Sequence, residues 1–179
     1  MTARLARTVA AAAARVAAAA GAVSGLAVVV MTALVTVEVV SRDLFNLSTL
    51  IADEMSGYLL VALTLLGLAP TLRGGGFIRI DTYRARVRGG GRRALELAIH
   101  LLALGYAGLL DWYLWRLAAD AWRLGTTSIQ VSRTPLWIPQ ACMALGGLLL
   151  VFELLSRLLL VVAGEPIEAD APAVAATEL

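Results

Sequence analysis

Residues 55–72 read MSGYLLVALTLLGLAPTL, eighteen positions without a charge, closed off by Asp53 and Glu54 on one side and Arg73 on the other. An α-helix rises about 1.5 Å per residue and the hydrocarbon core of a bilayer is about 30 Å thick, so a run of this length is a membrane span with its boundaries marked by charge. Working outward, three more stretches qualify: about 16–40, which meets no charge before Glu38; 94–118, which carries Glu96, His100, Asp111 and Arg116; and 135–163, with Glu153 and Arg157 in its second half. The chain therefore reads as an all-α integral membrane protein of four transmembrane helices with short interfacial segments.

Composition agrees. Of 179 residues, 60% are Ala, Val, Ile, Leu, Met, Phe, Trp, Tyr or Cys, more than a water-soluble domain can bury. The lone Cys142 cannot close an internal disulfide, and the lone His100 cannot supply a His-rich metal site or a bis-His haem, so no cofactor, metal or catalytic centre is expected. A net charge of only +2, with the arginines in the connections, gives no sign of nucleic acid. The Ala-rich start behind Arg4, Arg7 and Arg15 has some features of a cleaved leader, but its apolar run goes on well past Ala22 and reads as a span.

Orientation follows from the arginines, which tend to stay cytoplasmic in short flanks. With both ends inside, eleven lie on the cytoplasmic side, seven of them in the second connection, against four outside. The expected topology is N-in, C-in, with residues 1–163 forming the membrane domain and 164–179 a disordered cytoplasmic tail. Trp112, Trp115, Trp122 and Trp137 gather at the outer ends of the third and fourth spans, where an aromatic belt belongs.

The first connection mixes Leu44, Phe45, Leu47, Leu50 and Ile51 with small polar residues and suits a short turn at the outer interface. The second, between two triple-glycine runs, repeats Phe77, Ile80, Tyr83 and Val87 among arginines, the pattern of an interfacial helix on anionic headgroups or of a plain basic loop. Gly21 with Gly25, and Gly146 with Gly147, allow close helix approach. Glu153 and Arg157, four apart, can pair on one helix face. Glu96, His100 and Asp111 project within roughly 60° of one another on the third span. That stripe faces protein or water rather than lipid, either as a packing or partner surface or as a proton relay.

The run VEVVSRDLFNLSTLIADEMSGYLLVALTLLGLAPTLRGGGFIRID, residues 37–81, resembles the small membrane subunit of tripartite ATP-independent periplasmic (TRAP) transporters. In that family an arginine after the first span, an acidic pair opening the second, a glycine within it and a basic loop ending in aspartate occur in this order. The matching positions are Arg42, Asp53 and Glu54, Gly67, Arg73 and Asp81. The later TPLWIPQACMALGGLLLVFELLSRLL, residues 134–159, is similar in its Pro139, Gly146, Glu153 and Arg157. One departure is visible: Phe77 stands where the family often has a histidine.

The resemblance implies a non-enzymatic subunit of the bacterial inner membrane. Its expected partners are a large permease subunit, a periplasmic substrate-binding protein and the lipid bilayer. The importer would be sodium-coupled and carry organic acids, and this chain would brace the large subunit as a static scaffold. The competing reading is an autonomous four-helix carrier or channel using the Glu96, His100 and Asp111 stripe. Asp53, Glu54 and Arg133 are the candidates for contact with the binding protein.

Overall fold

The computed structural model describes residues 2–46, 51–77 and 90–165. Asp81, most of the basic second connection, Leu47 and Leu50 of the first, and the tail from 166 lie outside the described residues. Four helices carry the fold: α1 (Thr2–Phe45), α2 (Ala52–Arg73), α3 (Gly90–Leu124) and α4 (Trp137–Ala163). All four are long and apolar enough to cross a membrane. The described residues form no named strand; one isolated antiparallel bridge, Thr127 to Pro135, closes the turn between α3 and α4.

α4 is the hub. It packs on α1, α2 and α3, α1 also packs on α2, and α3 has α4 as its one extensive neighbour. The reason lies in its side chains: Ala144, Gly146, Gly147 and Ser156 let neighbours approach, and all are buried. Gly146 is the tightest point, since a Cβ there would lie 2.6 Å from the backbone carbonyl carbon of Leu65 on α2. Small residues serve this purpose in membranes, where apolar side chains gain little by leaving lipid for protein and close van der Waals contact decides association.

α1 runs well beyond the 16–40 span that its hydropathy marks. Its buried side chains are Ala6, Ala13, Ala17, Ala20 and Ala27, and the half-buried Ser24, Met31, Leu34, Glu38 and Ser41 continue the same alternation of three and four. That is a heptad seam made of alanine in its first half, which permits close packing. Of the glycine pair expected to pack, Gly21 does, with a Cβ position 3.4 Å from the Pro70 ring, whereas Gly25 faces open space. Glycines four apart lie some 40° apart around a helix, and here the seam passes on Gly21's side.

Both ends of the bundle meet at one side. α4 stops at Gly164, whose φ of 72° is a left-handed cap, and the Gly164 and Glu165 amides donate to the Val161 and Leu160 carbonyls. Glu165 then accepts a hydrogen bond from the Arg7 guanidinium at 2.8 Å. The start of α1 and the end of α4 are thus neighbours.

Candidate functional site: two polar clusters and a buried aspartate

At one end of α2 the helix opens with Asp53 and Glu54, where unpaired backbone amides favour negative charge. Asp53 is exposed and Glu54 buried. Glu54 accepts from the Tyr58 hydroxyl at 2.7 Å and from the Ser132 hydroxyl at 2.6 Å. Ser132 belongs to the turn between α3 and α4, which is held as a hairpin by the bonds Ser128 N–H to Thr134 O and Leu136 N–H to Thr126 O. Ser132 and Thr134 hydroxyls lie 2.7 Å apart, extending the network. Arg133 next to it takes a left-handed φ of 47° and is exposed. Trp122 and Trp137 meet edge to face at 4.7 Å at the base of this hairpin.

At the other end of α2 the charges are buried. Glu153 accepts from Arg157 Nε at 3.2 Å along its own helix and from Arg73 Nη1 at 3.3 Å across from α2. Arg157 Nη2 also donates to the Leu72 carbonyl at 2.6 Å, capping the last turn of α2. Glu153 and Arg157 are 2% and 4% exposed, so the ion pair that fastens α2 to α4 is buried. From Trp137 to Arg157 are twenty residues, and from Glu54 to Arg73 nineteen. Both intervals correspond to about 30 Å of helix, so the two clusters lie about one hydrocarbon-core thickness apart.

Between them lies Asp111, 8% exposed, on the α4-facing side of α3. A Cβ on Gly147 would meet its Oδ1 at 2.6 Å, and that oxygen has no hydrogen-bond partner among the described residues. His100 turns inward more mildly and donates its Nδ1 proton to the Glu96 carbonyl oxygen at 2.7 Å. Glu96 and His100 are half-buried on the same side of the helix as Asp111. Asp111 is eleven residues beyond His100, about 16 Å along the axis. The three therefore share a face without forming a continuous chain of hydrogen bonds.

Among the remaining expected positions, Arg42 is exposed near the end of α1, and Pro139 sits half-buried in the first turn of α4, where its missing N–H costs nothing. Gly67 has only Ser24 Oγ near its Cβ position, at 3.8 Å, an ordinary contact. The long-range partners, Arg73 to Glu153 and Ser132 to Glu54, are the ones that sequence reasoning misses.

Residues 31–164 match the family described as Tripartite ATP-independent periplasmic transporters, DctQ component. The chain belongs to the DctQ family. The match takes in α2, α3, α4 and the last third of α1, so both polar clusters, Asp111 and Gly147 fall inside the DctQ region. DctQ proteins are the small permease component of an inner-membrane transport system, and the four helices are membrane spans by length and composition. No curated protein matches the chain.

Proposed function

We propose that this DctQ chain is the static small permease subunit of a sodium-coupled, binding-protein-dependent importer of organic acids. It sits N-in and C-in and serves as a scaffold for the large permease subunit, with the Arg73, Glu153 and Arg157 cluster on the cytoplasmic side and the Glu54 hairpin outside. The observation that carries the scaffold reading is the bracing of α2. It is fastened to α4 by a buried ion cluster at one end and to the hairpin by Glu54 at the other. A helix held at both membrane faces is suited to resist sliding rather than to move. The single deeply buried acid of the stripe, Asp111, lies closed in against Gly147, which favours packing over a path for ions.

On this reading a large multi-span permease co-purifies with the chain from native membranes, and uptake of organic acid requires both. The autonomous-carrier reading requires the opposite: uptake by this chain alone, lost when Glu96, His100 and Asp111 are replaced by Gln, Asn and Asn.

A further inference from the structure

On the exposed sides of α1 and α2 the mid-helix threonines are satisfied internally. Thr32 and Thr36 hydroxyls donate to the Val28 and Thr32 carbonyls at 2.9 and 2.7 Å, and Thr64 donates to the Leu60 carbonyl at 2.7 Å. Around them the exposed side chains include Val23, Leu26, Val29, Val30 and Val37. Such stretches suit acyl chains, because these three hydroxyls leave no donor over.

α3 differs. Its α4-facing side holds Ala107, Asp111, Ala118 and Ala121, all buried. On the far side Leu102, Tyr106, Leu109, Tyr113, Arg116 and Asp120 follow at steps of four and three, the spacing of a helix-packing seam. Every one of them is exposed, Tyr106 by 72% and Tyr113 by 59%. Among the described residues, the two phenol hydroxyls, the guanidinium and the Asp120 carboxylate make no hydrogen bond or ion pair. Gly105, between Leu102 and Leu109 along this side, has nothing within 4 Å of its Cβ position and leaves room for a neighbour's backbone.

Depth decides what that neighbour is. Arg116 lies six residues inside the level of Trp122, about 9 Å, and Tyr113 nine residues inside, about 13 Å. A guanidinium can snorkel part of such a distance to headgroups, but a phenol oxygen near the midplane cannot reach them. Groups of this kind are costly against lipid and favourable against a helix that supplies acceptors.

We infer that this face of α3, centred on Tyr113 and Arg116, seats a transmembrane helix of the large permease subunit carrying an acidic or other acceptor group level with Arg116. The inference rests on the subunit role proposed above and assigns the contact to the outermost helix of the bundle.

The test uses the co-expressed complex in native membranes, with photoreactive p-benzoylphenylalanine placed at Leu109 or Tyr113 and, as a control, at Val29 on the exposed side of α1. Irradiation should join the two membrane subunits from positions 109 and 113 and not from 29. Separately, Arg116→Ala should lower the recovered large subunit several-fold, with Arg116→Lys restoring part of it. Adducts from 109 and 113 confined to lipid, or adducts with the large subunit arising from 29 instead, would overturn the placement on α3 while leaving the subunit role intact. Failure of the unmodified chain to co-purify with any large permease would instead remove the subunit role itself.

Discussion

Asp111 Oδ1 occupies the space into which a side chain on Gly147 would project, 2.6 Å from where its Cβ would stand. An acid from α3 is thus received by a glycine of α4, and that fit seats α3 on the hub. Gly147→Ala should loosen α3 by an overpacking cost of about 1–3 kcal/mol. The crowding atom is the far end of a side chain, so Asp111→Ala in the same background should return most of the loss. Thermal unfolding of the four variants in detergent gives the double-mutant cycle. Equal losses from Gly147→Ala in both backgrounds would show that the two residues do not share the space.

Gly146 presents the harder case. Its neighbour is the backbone of Leu65, which no truncation can move. Gly146→Ala should therefore destabilise the bundle more than Gly147→Ala and should not be rescued by Leu65→Ala. A smaller melting-temperature drop than that of Gly147→Ala would contradict the α2–α4 contact described here.

Glu153 is the common acceptor for two arginines. Glu153→Gln leaves Arg157 buried without its counter-charge, a situation that typically costs about 3–5 kcal/mol. Replacing the pair together, Glu153→Leu with Arg157→Met, should cost less than Glu153→Gln alone, because the buried Arg157 charge goes with its partner and Arg73, at 26% exposure, keeps access to solvent. Arg73→Ala should be the mildest of these changes, since its side chain is 26% exposed and it adds to a pair that already exists. Stability in denaturant, read by tryptophan fluorescence, ranks the variants; a double replacement worse than Glu153→Gln would argue against a buried ion pair.

The hairpin between α3 and α4 is fixed by Ser132 donating to Glu54 at 2.6 Å. Ser132→Ala and Glu54→Gln should both speed hydrogen exchange and proteolytic cleavage over residues 128–134 several-fold, with helix content unchanged. Unaltered exchange in that segment would mean that the Thr127 to Pro135 bridge holds the hairpin by itself.

Much of this architecture was legible in the sequence. Asp53, Glu54 and Arg73 bracket α2 because charges gather at the membrane faces, and the i, i+4 spacing of Glu153 and Arg157 announces their pairing. The hub role of α4 was not legible. In lipid both the packed and the exposed sides of a helix are apolar, so periodic polarity, the usual guide to a buried face, is nearly silent. Gly21 and Gly25 show the consequence: the same signal, with one residue packed and the other open. Arg73 reaching Glu153, eighty positions away, depends on tertiary register, which no local spacing encodes. The alanine seam of α1 carried a signal, the three-four alternation of its buried positions, but a helix so rich in alanine on every side hides it.

The scaffold role is tested most directly by sodium-driven uptake of an organic acid into proteoliposomes holding the large permease subunit, with its binding protein outside, prepared with and without this chain. Uptake should appear only when the chain is present, and should survive Glu96→Gln, His100→Asn and Asp111→Asn together in complexes that assemble. Undiminished uptake without the chain would contradict a required scaffold, and uptake by the chain alone would make it a carrier.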